Sequence, residues 1–371
     1  MKKLLLVLFI LWTHSVMSTE TRVNTLGGVP YFLIDNSNVC LYPALITNYP
    51  NEFIGEVKHP SISGFIDLGR LGIFGIGINN DSASSILTEA IKDADFTHFS
   101  SPPPQFAMYY GRKIRRLGAV GLKLNAANEF YEEAPSNSSQ SIWILGSTIG
   151  LTYPLSRRSS IDFMAGTQRF GFKSKYLLGT GDSVIFKDQG KYSITGGVRA
   201  LSLLSPTSLL IIGATYNKFD VSWLKGKVSE VLTLGTTEAY TGISLSASSK
   251  ATIIFGLLVS KSEADTITGQ TTFNTITYSV PKIVMGMETR LNDWSIVRIG
   301  ANKDFNYRIL KVITMPDSVE IKNEQVKETT FNLSFGFGFS LRDFELDIMC
   351  NELPFVTSSL GLAATYKFNS F

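Results

Sequence analysis

Side chains able to do acid–base or nucleophilic chemistry are few in this chain. Histidine occurs three times, as His14, His59 and His98. A serine nucleophile needs a base within hydrogen-bond reach, most often a histidine. His14 lies in an apolar leader, His59 at the end of an early strand and His98 in a long polar loop, and no GxSxG sequence accompanies them. No His, Cys and carboxylate group has the spacing of metal ligands. FGFGF at 335–339 and GIFGIGI at 72–78 are strand glycines and not phosphate loops, because no helix opens after either. The expectation is a protein without catalytic residues, cofactor or metal. Cys40 and Cys350 leave two readings open, a disulfide made in an oxidising compartment or two isolated buried thiols. Basic side chains gather in short turns, Lys113, Arg115, Arg116, Arg157 and Arg158. They read either as contacts to lipid phosphates or as solvated turn residues.

The elements that carry these residues follow from alternation. In FNLSFGFGFSL, Phe331 to Leu341, large apolar residues alternate with Asn332, Ser334, Gly336, Gly338 and Ser340. Successive strand side chains point to opposite faces, so one face is wholly apolar and the other small and wettable. About eleven residues is what a tilted strand needs to cross a bilayer. The composition agrees: of 371 residues 44% are hydrophobic and only 18% charged, with 31 Gly, 25 Phe and 14 Tyr. After Trp12 no apolar run reaches the length of a transmembrane helix. A net charge of +3, with no stretch dense in basic and aromatic residues, argues against a nucleic-acid partner.

From Gln105 onward the pattern is strand, turn, strand, with strands expected near 105–112, 117–130, 139–154, 160–177, 190–203, 208–224, 231–248, 250–262, 272–290, 294–312, 325–341, 343–351 and 355–368. Their connections sort by parity. Those at 113–117, 156–160, 205–208, 248–250, 291–293 and 341–343 are tight, and those at 79–104, 131–138, 178–189, 225–230, 263–271 and 313–324 are mostly longer and polar, with 351–354 as the short exception. Bacterial outer-membrane barrels have short periplasmic turns and longer outer loops. The fold class is therefore all-β, a transmembrane antiparallel β-barrel of about 14 strands within a range of 12–16, sixteen if 53–59 and 62–69 join the wall. Alternation turns Trp143, Leu145, Ile149, Leu151 and Tyr153 to lipid, with Tyr192, Ile194, Val198, Ile253, Phe255, Leu257 and Val259. Tyr153, Trp223, Trp294, Tyr366 and Phe368 are the expected interfacial aromatics. Lumen charge is sparse, with Lys123, Arg199, Arg298 and Lys367 as candidates. The Gly, Ser and Thr of the inner face favour a plugged interior over a wide aqueous pore.

The N-terminus divides into three. Residues 1–18 have the build of a secretory signal peptide, with Lys2 and Lys3 before an apolar Leu4–Trp12 and small residues at Ser15 and Ser18. Residues 19–52 are rich in Gly and Pro and lack clean alternation, and the barrel is expected from 53 to 371. Within it, 79–104 is a long outer loop with helical spacing at 83–96.

In that middle segment Arg22, Leu26-Gly27-Gly28, Asp35-Asn36 and Tyr42-Pro43-Ala44 resemble the start of the long-chain fatty-acid transporter (FadL-like) barrels and of the related PorV/PorQ-type barrels. Tyr42 stands where the family has Asn. The resemblance implies a plug inside the barrel, with Gly27, Gly28 and Pro43 making tight turns and Asp35 and Asn36 bonding to lumen groups. It implies passive uptake of small hydrophobic molecules that enter from outside and leave sideways near the plug. The loop helix then reads as an outer apolar site, Ile86, Leu87, Ile91 and Phe96, or as a cap on the barrel mouth. Two alternatives stand beside uptake: a scaffold or envelope-protein partner in secretion or surface assembly, and a general diffusion porin. The partners expected are the outer-membrane bilayer and hydrophobic small molecules, and the location is the bacterial outer membrane after cleavage of the signal peptide.

Overall fold

Along the stretch from Phe331 to Leu341, Ser334, Gly336 and Gly338 are buried while Phe331, Phe337 and Leu341 are exposed. The same two-faced arrangement repeats around the molecule. The computed structural model describes residues 18–57, 61–78, 105–133, 138–177, 183–188, 190–225, 228–268, 271–314, 319–350 and 360–368. The expected signal peptide, all three histidines, the loop helix with Ile86, Leu87, Ile91 and Phe96, and the side chain of Trp223 lie outside the described residues.

Seventeen strands form one sheet. The first nine are β1 (Glu52–Glu56), β2 (Ser61–Asp67), β3 (Ile73–Ile78), β4 (Phe106–Ile114), β5 (Gly118–Glu133), β6 (Ser138–Pro154), β7 (Ser159–Leu177), β8 (Ser183–Asp188) and β9 (Tyr192–Ser205). They are followed by β10 (Ser208–Lys225), β11 (Val228–Ser248), β12 (Ala251–Thr268), β13 (Thr271–Arg290), β14 (Ser295–Thr314), β15 (Val319–Leu341), β16 (Phe344–Cys350) and β17 (Leu360–Lys367). Each pairs antiparallel with its neighbour in sequence from β2 to β7 and from β9 to β17. β8 and β9 are two pieces of one stave, since both bond to β7 on one side and β10 on the other. β17 then pairs with β1, Lys367 opposite Glu52 and Ala363 opposite Glu56. The result is a closed barrel of 16 staves. The count exceeds about 14 because the short, irregular β1 and β2 are part of the wall.

Between β1 and β2 no ladder register occurs among the described residues. The two lie side by side, with the Asp67 N–H donating to the Asn51 side-chain oxygen at 3.0 Å and the Phe53 ring beside Gly64. All other wall neighbours have ladder registers, so this seam is where the wall is held least by backbone bonds.

Tight hairpins fall where the short turns were expected, all at one end, which the parity of outer-membrane barrels makes the periplasmic end. At the other end the strands run further than expected. β11 to β15 are 18 to 23 residues long, about twice what a bilayer crossing needs. The segments 225–230, 263–271 and 313–324, expected as loops, are largely ladder, closing at Lys225↔Val228, Thr268↔Thr271 and Thr314↔Val319. Antiparallel pairing continues past the bilayer because Thr, Ser, Asn, Glu and Lys on both faces tolerate water on both sides.

Residues 18–50 pack against the inner face. Helix α1 (Ser18–Thr25) stops where Gly27 and Gly28 adopt φ of +105° and +74°, and the Gly28 N–H closes back on the Val23 carbonyl at 2.9 Å. Short 3₁₀ turns follow at Pro30–Phe32, Asn36–Val39 and Pro43–Asn48. Wall glycines seat this segment. A Cβ at Gly121 would lie 2.2 Å from Pro43 C, one at Gly256 would lie 2.3 Å from the Phe32 ring, and one at Gly300 would lie 2.4 Å from Gly27 N. Gly121 is in register with Gly150, Gly242 with Gly256 and Gly286 with Gly300, so each seat spans two staves.

Candidate functional site

Two ionic clusters, one partly and one fully buried, bind the N-terminal segment to the wall. The first centres on Arg22 of α1. Its Nε and Nη2 donate to Glu288 at 2.9 and 3.1 Å, a two-point grip on β13. Glu288 also receives Arg298 Nε at 2.6 Å, and Arg298 in turn pairs with Asp347 on β16. Burial works against the Arg22 charge, but Glu288 and Asp35 outweigh it and the guanidinium is held protonated more firmly than in water.

The second cluster centres on Arg199 of β9, which is fully buried. Its Nε and Nη2 donate to Asp162 Oδ2 at 3.1 and 2.8 Å, and its Nη1 donates to the Asn38 side-chain oxygen at 2.5 Å. The guanidinium carbon stands 4.7 Å from the centroid of the Tyr42 ring. Tyr42 and Tyr240 are hydroxyl to hydroxyl at 3.0 Å. The residue at which the chain departs from the FadL-like pattern is thus the central anchor of the segment. Burial pushes the Tyr42 phenol up despite its bond to Tyr240. Tyr31 stacks on Tyr240, centroids 4.2 Å apart, and donates to Glu238 at 2.5 Å. Burial first, then the Glu238 charge, hold its phenol well above the ordinary range.

Of the residues singled out from sequence, Lys123, Arg199 and Arg298 are buried on the inner face. Lys123 Nζ lies 5.9 Å from the centre of the Tyr109 ring. Lys367 is half-exposed at the periplasmic rim, 3.8 Å from Glu52 and 3.6 Å from Glu345. Asn36 donates to Glu52 of the wall at 3.1 Å. Asp35 behaves differently from the expected wall contact: it accepts the Ser37 N–H at 3.0 Å and lies 3.6 Å from Arg22, so it folds the segment onto itself. An Asp two residues before a free backbone N–H forms that local turn first. Pro43 sits on Gly121 and Gly150. Cys40 and Cys350 form no disulfide, and Cys40 Sγ is 3.7 Å from the Tyr109 hydroxyl.

Sequence reasoning missed the acids. Asp162, Glu288 and Asp347 occupy inward positions on β7, β13 and β16, and Glu56 accepts both the N–H and the hydroxyl of Thr21, at 2.8 and 2.6 Å. Strand parity could have placed Asp162 and Glu288 inside, as it placed Arg199.

Above this segment, on the side of the outer connections, is a cavity of about 210 Å³. Tyr31, Cys40 and Leu41 form its floor. Met164, Phe219 and Leu234 give it apolar wall, and Lys123, Asn125, Gln168 and Asn217 give it polar groups. A few polar groups in a partly apolar hollow orient a small ligand and bury its apolar part.

No protein-family model matches the sequence, and neither does any curated protein. Among solved structures, the chain is similar to a Pseudomonas aeruginosa FadL homologue, with 11% identity, a TM-score of 0.48, and coverage of 96% of this chain and 99% of that one. It is also similar to the CymD monoaromatic hydrocarbon channel, with 12% identity, a TM-score of 0.46, and coverage of 95% and 98%. A third is the P. putida toluene transporter TodX, with 11% identity, a TM-score of 0.42, and coverage of 95% and 100%.

Proposed function

We propose that this barrel takes up small hydrophobic molecules passively across the bacterial outer membrane, after removal of a signal peptide at residues 1–18. The observation that carries the reading is the cavity over the N-terminal segment. Apolar cavities of about 150 Å³ bind benzene. A hollow of about 210 Å³ that joins Phe219, Leu234 and Met164 to Lys123 and Asn125 suits a one-ring or short-chain molecule with one polar end. The N-terminal segment is the plug that stops it there. The seam between β1 and β2, beside the Thr21–Glu56 contact, is the exit, because opening it breaks the fewest wall bonds.

The test fills the cavity. Thr236, on the inner face of β11, lines it. Thr236→Trp is expected to abolish saturable binding of a small aromatic probe such as indole to the purified barrel, and its uptake into proteoliposomes, while leaving the heat-denaturation midpoint in place. Unchanged uptake in the filled variant sinks the proposal. A second reading, a shut barrel acting as scaffold for an envelope partner, is favoured by the density of plug–wall bonds at Arg22, Asn38 and Thr21. It requires that neither the parent barrel nor Thr236→Trp passes the probe. The packing of residues 18–50 against the inner face weighs against a general porin.

A further inference from the structure

One arginine faces the opposite way from Arg199 and Arg298. Arg169 lies on the outward face of β7, opposite Leu145 of β6 and Tyr192 of β9, and Leu145 and Tyr192 are both exposed to the lipid side. Its guanidinium carbon is 5.2 Å from the Trp143 ring centroid and 5.6 Å from that of Tyr192. Two aromatic faces thus hold the cation from both sides. Room for it comes from Gly190, where φ is +73° and a Cβ would lie 2.7 Å from Arg169 Nη2. Arg169 Nε is buried without a hydrogen-bond partner. A cation set so firmly at a lipid face, with its Nε donor unused, is a receptor for an anion.

Its height identifies the anion. On β6 the outward positions run from Tyr153 at the periplasmic end through Leu151, Ile149, Ser147 and Leu145 to Trp143, after which they become Ser141 and Ser139. Ten residues of tilted strand rise about 25 Å, the height of the apolar band of such barrels. Trp143 therefore stands at the outer interface, and Arg169 with it. Lys173, two outward positions above Arg169, and Lys191, next to Tyr192, are both exposed. Below it Ser147, Thr167 and Ile194 stand side by side on the outer face, and one outward step further Ala165 and Gly196 are in register and leave a shallow track flanked by Ile149, 61% exposed. A guanidinium between two aromatic rings, further cations above it and an apolar track further below match a phosphorylated lipid.

We propose that Arg169, Trp143 and Tyr192 form a binding site for the phosphate of an outer-leaflet lipid, with one acyl chain along the Ala165–Gly196 track. The site is on the outside of the wall and is independent of the uptake reading.

The test is native mass spectrometry of the full-length barrel with bisphosphorylated lipid A, the same lipid stripped of phosphate, phosphatidylethanolamine, and inorganic phosphate as competitor. The intact barrel is expected to retain lipid A over its dephosphorylated form. Arg169→Gln is expected to weaken lipid A binding about tenfold to a hundredfold, the range for a hydrogen-bonded charge. Arg169→Lys is expected to keep part of it. Equal retention of the phosphorylated and stripped lipids overturns the proposal, and that comparison needs no variant. Wild-type affinity in Arg169→Gln overturns it too. Displacement of lipid A by millimolar inorganic phosphate would reduce the site to an anion trap and refute its lipid specificity.

Discussion

Arg199 offers the sharpest test of how the N-terminal segment, the plug of the proposed function, is held. In Arg199→Met two contacts to the plug are lost: the charge-assisted bond to Asn38 and the stacking over Tyr42, 4.7 Å away. A hydrogen bond to a charged group contributes about 1.5–3 kcal/mol and a desolvated cation–π contact about 2 kcal/mol. Together they make the docked state of the plug about 3–5 kcal/mol more favourable, roughly a hundredfold to a few thousandfold in its opening equilibrium. Hydrogen exchange read by mass spectrometry on residues 36–48 reports that equilibrium, through amides such as that of Tyr42, which donates to the Asn38 carbonyl at 2.7 Å. The expected result is faster exchange there by that factor, with the ladders of β9 and β10 still protected. Asp162 complicates the reading, since among the described residues it keeps only Thr152 Oγ1, at 2.7 Å, once the arginine has gone. Arg199→Met combined with Asp162→Leu removes the stranded charge. If the double variant regains slow exchange, the plug contacts were not responsible. A change below about threefold in the single variant would refute the reasoning as a whole.

Two further outcomes follow from the same geometry. Gly256→Val puts a side chain where the Phe32 ring lies, its Cβ only 2.3 Å from the nearest ring carbon, and is expected to cost about 1–3 kcal/mol as overpacking. Adding Phe32→Ala should recover part of that loss, read as the midpoint of the heat-induced mobility shift on electrophoresis; strict additivity of the two would show that they do not share a seat. Phe337→Arg, near the middle of the lipid-facing stretch Phe331–Leu341 of β15, should destabilise the barrel in lipid by about 2–4 kcal/mol, measured by refolding into vesicles from urea. A neutral result there would mean that this face does not meet lipid.

Much of this architecture is legible in the residues alone. Alternation from Phe331 to Leu341 assigns the lipid face and the inner face because strand periodicity is a property of neighbouring residues. The tight turns at 113–117, 205–208 and 341–343 locate hairpins for the same reason, since turn chemistry is local. Parity also puts Lys123, Arg199 and Arg298 on the inner face. The stave count is not set in this way, because β1 and β2 are too short to carry a clear period and join the wall only through β17 and β3. Nor is the reach of β11 to β15, which depends on a neighbouring strand being available to continue the ladder. Partnership lies furthest from the sequence. Arg22 meets Glu288 across 266 positions and Arg199 meets Asn38 across 161. Pairing at such separations leaves no local pattern in the residues themselves, and only closing the barrel around its own N-terminus brings these charges together.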